Sequence, residues 1–366
     1  MKELNTDILV IGGGAAGLSA AAEAASSGAK VTIIESDLQI GGQLIKQTHK
    51  FFGSKDEYAG TRGYKIADIL KAELDANKAK IDILTSTTVT GYYIEDKTFT
   101  AMTGEESYFR IKAQKAVVAT GAQERLIPFP NNYLPGVYGA GAVQTLMNVY
   151  GVKPGNRVLM IGAGNIGLIV SYQLIQAGVK VAAIVEALPR VGGYWVHAAK
   201  VRRLGVPIKL QHSIKEALGG EFVEGAVIQE LDDKFQPTGS EEKIDCDIIC
   251  LAVGLTPTTE LLSQAYCEMR YVPQLCGYVA LRDRTMRTSN PDFWTAGDSS
   301  GIEEASAAMV EGRIAGLCAA KSIGLPVKTE RFDEYWKRLD HLRAGEVGEK
   351  IRAGVNKVLR DRWEDK

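Results

Sequence analysis

Two stretches of the chain carry the same pattern of apolar and small residues. Asp7-Ile8-Leu9-Val10-Ile11 is a nearly unbroken apolar run ending in Gly12-Gly13-Gly14-Ala15-Ala16-Gly17; small residues continue to Gly28, and a second run, Lys30 to Ile34, stops at Glu35. The order returns at Asn156 to Ile161, Gly162-Ala163-Gly164-Asn165-Ile166-Gly167, a segment through Ala177, and Lys180 to Val185 before Glu186. A short apolar run, glycines and then a long run of small residues predict buried strand, tight turn and helix. The chain is therefore expected to be α/β, with two Rossmann-like dinucleotide-binding domains.

The spacing G-x-G-x-x-G has a mechanical reason. Gly12 makes the turn, Gly14 admits a pyrophosphate against the backbone, and Gly17 lets helix and strand pack closely; the helix N-terminus then faces the phosphates. Gly162, Gly164 and Gly167 repeat this, with Asn165 and Ile166 opening the second helix. Glu35 and Glu186 sit about twenty residues past their glycines, where a carboxylate accepts hydrogen bonds from an adenosine ribose. A carboxylate at Glu186 repels a 2′-phosphate and favours NAD(H) over NADP(H), an inference that Arg190, four residues on, weakens. Another adenine nucleotide, or a fold kept only as scaffold, stays open, because ADP and NADH share the half that this motif reads.

Between the two units, Ile81 to Ile111 alternates apolar and polar positions as a small antiparallel sheet would. Asp247 to Val253 reads as a strand running into the turn Gly254-Leu255-Thr256-Pro257. Glu303 to Ala320 has helical periodicity. In the tail, Val347, Ile351, Val355, Leu359 and Trp363 recur every four residues along one side of an expected helix. Such a stripe must be buried, by default on its own domain and alternatively on another subunit.

The 366 residues, 45% of them hydrophobic, suffice for the cores of two domains. A formal charge of -1 gives no basic field to recruit nucleic acid or anionic lipid, so small molecules and proteins are the expected partners. Met1 leads directly into the first strand without signal-peptide features, and no membrane span is expected, so the location is read as cytoplasmic. None of the five cysteines, Cys246, Cys250, Cys267, Cys276 and Cys318, forms a C-x-x-C pair, and Cys246 and Cys250 read as core thiols.

Gly41-Gly42-Gln43-Leu44 resembles the flavin-binding segment of thioredoxin reductases, Ala119-Thr120-Gly121-Ala122 the motif closing the first FAD segment of that superfamily, and Phe293-Trp294-Thr295-Ala296-Gly297-Asp298 its second FAD motif. The resemblance implies a glutathione/thioredoxin reductase-like fold, with an NAD domain (146–282) inserted in an FAD domain (1–145 and 283–325) and a helical tail (326–366). It implies that FAD is held by Gly12, Gly14, Ala15, Ala16, Gly17, Glu35, Ser36, Gly42, Gln43, Leu44, Val89, Ala119, Thr120, Gly121, Gly297 and Asp298, with the amides of Ala305 and Ser306 at the flavin's pyrimidine edge. Gly254 joins Gly162 to Gly167 and Glu186 at the second nucleotide, NAD(H) or another adenine nucleotide.

Closer wording lies in Thr120 to Arg125, Pro128-Phe129-Pro130, Leu134 to Val137, Gly139 to Leu146 and Ala308 to Gly316. These resemble the FAD/NAD-binding subunits of hydrogen cyanide synthase, opine oxidase, dye-linked proline dehydrogenase and heterotetrameric sarcosine oxidase. The implied activity is an FAD-dependent oxidoreductase passing electrons within an amine or amino-acid dehydrogenase complex, beside an iron–sulfur protein and a second flavin subunit, as part of a homo- or hetero-oligomer. Cys318 alone follows Asp298, so any iron–sulfur cluster belongs to another chain, and without paired cysteines no dithiol relays electrons. Lys46 and His49 are read either as groups that tune the flavin or shuttle a proton or, by preference, as solvated loop residues; no catalytic residue is assigned. A self-contained NADH-dependent flavin reductase acting on a small acceptor or quinone is the enzymatic alternative, and a nucleotide-binding structural subunit the other.

Overall fold

A computed structural model describes residues 2–104, 107–346 and 348–361. These residues form two compact units, one made of residues 1–123 and 256–366 and the other of 124–255.

In the first unit, β1 (Lys2–Ile11), α1 (Ala15–Ser26), β2 (Val31–Ile34), α2 (Gly63–Asp75) and β3 (Ile81–Leu84) lead into β4 (Thr87–Tyr93), β5 (Thr98–Thr103) and β6 (Ser107–Val118). The strands run in the order β3-β2-β1-β6-β5-β4. β3, β2, β1 and β6 are parallel, while β4, β5 and the first half of β6 form an antiparallel meander. The alternating stretch thus divides: Ile81 to Leu84 extends the parallel sheet, and only the later strands are antiparallel. Ile8 to Ile11 of β1 are buried on both faces, as their continuous apolar run requires.

The second unit has its own parallel sheet. β7 (Val137–Gly139), α3 (Ala140–Asn148), β8 (Arg157–Ile161), α4 (Asn165–Gln176), β9 (Lys180–Glu186), α5 (Trp195–Arg203) and β10 (Ile208–Leu210) precede a meander of β11 (His212–Leu218), β12 (Gly225–Leu231) and β13 (Pro237–Asp245), and then β14 (Ile248–Leu251). The parallel order is β10-β9-β8-β14-β7. Ile248, Ile249, Cys250 and Leu251 are buried, as expected for a central strand.

The chain then re-enters the first unit through α6 (Glu260–Gln264), the hairpin β15 (Met269–Val272) and β16 (Gly277–Ala280), and β17 (Phe293–Thr295), which pairs in parallel with Ala116 to Val118 of β6. α7 (Ala305–Ser322), α8 (Glu330–Leu342) and α9 (Glu349–Val358) complete it. The units change over at 123/124 and 255/256 rather than at 145/146 and 282/283. The physical reason is strand pairing and packing. Val137–Gly139 pairs with β14 of the second sheet, whereas Leu262, Ala265, Cys267 and Ala280 share a core with Leu9, Phe99 and Phe293.

The tail belongs to this core. Tyr335, Trp336 and Leu339 of α8 join the main cluster around α1 and α7, and Val355 and Val358 of α9 pack on Val272, Leu275, Val279 and Leu281. The apolar stripe is therefore buried on its own unit where it is described; Val347 and Trp363 lie outside the described residues. The helix also stops sooner than the four-residue repeat predicts, because Leu359 is extended and pairs with Arg282.

Candidate functional site

The first glycine motif folds as its spacing requires. Gly12 has φ +104°, and a Cβ there would lie 2.2 Å from the Ala119 carbonyl oxygen; one on Gly17 would lie 1.8 Å from that of Gly12. Both positions admit only hydrogen. Gly14 is the opposite case: the atom nearest to an added Cβ is the Gly42 Cα at 3.9 Å, so its outer side is open. α1 starts there without a side-chain cap, and Leu18 is the first residue whose amide returns to a carbonyl, that of Gly14, at 2.9 Å. The amides of Ala15, Ala16 and Gly17 thus stand at a positive helix end beside an open cradle, which suits a phosphate.

Gly41 N–H donates to the Gly13 carbonyl at 2.8 Å and brings Gly42, at φ +51°, against Gly14. Leu44 is buried beneath this contact, whereas Gln43 is exposed. At the end of β2 the Glu35 carboxylate accepts from Gly13 N–H at 2.7 Å, Asp37 N–H at 2.8 Å and the Ser36 hydroxyl at 3.1 Å. Thr87 N–H bonds the Glu35 carbonyl at 2.9 Å, so Val89, two residues along β4 on the same face, lies on the Glu35 side of the fold.

The other motifs of this unit converge on the same turn. Ala119 N–H donates to the Ile11 carbonyl at 2.8 Å, the Thr120 hydroxyl to the Thr258 carbonyl at 2.7 Å, and Gly121, at φ +73°, faces open space. Gly297 presses on Ala16: a Cβ on Gly297 would come within 2.8 Å of the alanine methyl. Next to it, burial pushes the Asp298 carboxyl up to about 7, reinforced by the charges of Glu311, Glu303 and Glu304 and opposed by the Glu303 N–H at 3.4 Å. α7 begins after it, also without a side-chain cap, leaving the first-turn amides of Ala305 and Ser306 unspent by the helix.

Several charged residues that the sequence did not single out hold this assembly in place. Glu311 of α7, 2% exposed, accepts from Gly297 N–H at 2.9 Å, the Ser300 hydroxyl at 2.6 Å and Arg343 at 2.6 Å. Burial would raise its pKa, but Arg282 and Arg343 outweigh that and hold the carboxyl below the usual range. Glu57, in the loop after Gly42, is buried against Arg338 of α8, and Gly53 of the same loop lies beside Ser306. Lys46 ends the single helical turn 42–46, and the His49 ring stacks on Phe51 at 5.5 Å. An acid within the small-residue run Ala308 to Gly316 was a readable signal; nothing in the mixed charges of the tail marks Arg343.

The second motif repeats the first. Gly162 has φ +107° with the Ala252 carbonyl oxygen 2.3 Å from an added Cβ, Gly167 is pressed on Gly162 at 2.1 Å, and Gly164 faces open space. α4 also lacks a side-chain cap. Glu186 accepts from Ala163 N–H at 2.8 Å and Leu188 N–H at 3.0 Å. The loop beyond it folds back, Gly193 N–H donating to the Ala163 carbonyl at 2.9 Å and Tyr194 N–H to the Asn165 side chain at 2.7 Å. Ile166, Arg190 and Gly254 are exposed. A further acid of this unit, Glu124, accepts from Gly141 N–H at 2.7 Å in the first turn of α3.

Among the described residues no disulfide links the cysteines, and burial raises the Cys246 and Cys318 thiols to about 12 and that of Cys267 to about 11. A thiol so buried and protonated is a poor nucleophile toward a disulfide.

The model of the family described as pyridine nucleotide-disulphide oxidoreductase matches residues 6–312. The chain belongs to that family. It is an FAD-dependent oxidoreductase, α/β and Rossmann-like, and its family uses FAD and often NAD(P). It is 29% identical over 335 residues to an opine oxidase subunit of Agrobacterium tumefaciens (strain Ach5), covering 87% of this chain and 66% of that one. With hydrogen cyanide synthase subunit HcnB of Pseudomonas protegens it shares 27% identity, covering 84% and 69% respectively. Its fold matches L-proline dehydrogenase from P. horikoshii with a TM-score of 0.71 and 24% identity, over 92% of this chain and 59% of that one. The chain spans 66% of the length of the Agrobacterium opine oxidase protein and 63% of a counterpart from Rhizobium meliloti. Among the described residues, no helix is long and apolar enough to cross a membrane.

Proposed function

We propose that the first unit binds FAD and the second NAD(H) or another adenine nucleotide, and that the chain passes electrons through the flavin as one subunit of an amine or amino-acid dehydrogenase complex. The observation that carries the reading is the open cradle at Gly14, closed on its other sides by Gly12, Gly17 and Gly42 and facing the uncapped start of α1. FAD, when bound, supplies the redox chemistry; the chain's residues place it. The amides of Ala15 and Ala16 meet the pyrophosphate, Glu35 the adenosine ribose, Asp298 the ribityl hydroxyls, and the start of α7 the pyrimidine edge. Gly164, Asn165 and Glu186 act likewise on the second nucleotide.

The complex is suggested by the relatives, whose names call them subunits. Their implied partners are an iron–sulfur protein and a second flavin subunit. Anaerobic titration of the holoprotein with NADH tests the whole reading. Bleaching of the flavin without turnover on free acceptors is expected. Rapid turnover on a quinone or other small acceptor would instead make the chain a self-contained reductase, and absence of bleaching would make the second nucleotide non-redox or the chain a structural subunit.

A further inference from the structure

Among the tail residues that reach the candidate flavin site is Arg343. Arg343 caps the C-terminal end of α8, is 5% exposed, and joins two carboxylates at once. Its Nε donates to both oxygens of Glu303 at 3.0 Å, and one terminal nitrogen donates to Glu303 Oε2 and to Glu311 Oε1, each at 2.6 Å. The other oxygen of Glu311 accepts from Gly297 N–H and the Ser300 hydroxyl. Arg282 closes the set, donating to the Ser300 carbonyl at 2.9 Å and facing Glu311 at 3.5 Å. Glu311 thereby fixes the turn that presents Asp298, and Glu303, whose carboxylate Arg343 holds, also carries the backbone N–H that faces Asp298 Oδ1.

We propose that Arg343 is a positioning residue for flavin: by tying Glu303 to Glu311 it fixes the Gly297–Ser300 turn and the entry to α7 in the geometry that FAD requires. The inference rests on reading Gly12–Gly17 and Gly297–Ser306 as the FAD site. It gives the segment after the last FAD motif a task within the chain itself. Burying two carboxylates within reach of one another is unfavourable unless cations pair with them, and the planar guanidinium spans both where a lysine ammonium would satisfy them less completely. Without Arg343, Arg282 alone faces Glu311, Glu303 loses all three bonds from the guanidinium, and the segment between Asp298 and Ala305 loses its anchor to α8.

The test compares FAD affinity with folding. Apoprotein of wild type, Arg343→Gln, Arg343→Lys and Arg331→Gln is titrated with FAD by flavin fluorescence, and its thermal midpoint is measured in parallel. Arg331 also belongs to α8, but pairs with Glu23 at 2.8 Å, nine residues and about 13 Å along α1 from Gly14. The expected result is FAD binding weakened tenfold or more in Arg343→Gln, partly restored in Arg343→Lys, and unchanged in Arg331→Gln. If Arg343→Gln does not fold, Glu303→Gln/Arg343→Gln carries the test, since it removes a buried charge together with its cation, and the same weakening is expected. Wild-type affinity in a folded Arg343→Gln or in the double variant, with only the thermal midpoint lowered, would overturn the proposal. Failure of the wild-type apoprotein to take up FAD would overturn the underlying site assignment instead.

Discussion

Replacing Asp298 with asparagine should stabilise the apoprotein and weaken flavin binding, two effects of opposite sign from one oxygen. The carboxyl rises from 3.8 to about 7 in the folded chain. At about 1.4 kcal/mol per unit this shift corresponds to roughly 4 kcal/mol. Partial solvent access of Asp298 screens it, so roughly 2 kcal/mol is expected. The sign follows from linkage. A carboxyl whose folded pKa lies above its unfolded value binds its proton more tightly in the folded state, so stability is lost as pH climbs from about 4 to about 7, and the cost is complete above that. Thermal unfolding of wild-type and Asp298→Asn apoprotein should therefore coincide near pH 4 and diverge by roughly 2–4 °C at pH 8, with the variant more stable. Because asparagine is a neutral acceptor, FAD should bind it about tenfold more weakly. Parallel midpoints for the two proteins from pH 5 to pH 8 would refute the argument.

Three further outcomes follow from the geometry. Gly14→Val should leave the thermal midpoint of the apoprotein within a few degrees of wild type, because the added side chain points into open space, yet yield protein without flavin; a full complement of FAD would show that the cradle is not the flavin site. Glu186→Ala should narrow any preference for NADH over NADPH in equilibrium binding, and tighter NADPH binding by the wild type would count against the role of Glu186. Truncation after Gly345 should destabilise the isolated protein, since it removes the buried Val355 and Val358, worth roughly 1.5–3 kcal/mol each before ordering costs; an unchanged midpoint would return the stripe to a partner subunit.

What the sequence made legible and what it hid differ in physical kind. Gly12, Gly17, Gly162 and Gly167 were readable because backbone oxygens at 1.8–2.3 Å from any Cβ leave no alternative residue, and the glycines recur at a fixed local spacing although the oxygens facing Gly12 and Gly162 belong to the distant Ala119 and Ala252. The edge of the inserted unit was not. Val137–Gly139 is three residues long and belongs to the second sheet only through pairing with Ile249–Leu251, more than a hundred residues away. Arg343 was hidden for the same reason: its partners Glu303 and Glu311 lie 40 and 32 residues earlier, and one arginine among the charges of the tail carries no local mark. The apolar stripe was visible as a stripe, but its four-residue period could not say which surface covers it.

The acids buried in the first unit include Glu23, Glu35, Glu57 and Glu311, and Asp298 is half-buried. Glu23 meets Tyr335 and Arg331, Glu57 meets Arg338, and Glu311 meets two arginines, a hydroxyl and an amide. Each is compensated inside the chain, as a charge serving the scaffold must be. Asp298 is not: among the described residues its carboxylate accepts the long bond from Glu303 N–H, and its neighbours include three further acids. The starts of α1 and α7 leave their first-turn amides uncapped by the N-cap side chain, as the starts of α2 to α5 also do. A ligand that brought a diphosphate to the amides of α1 and hydroxyl donors to Asp298 would satisfy these groups, as the proposed FAD site requires.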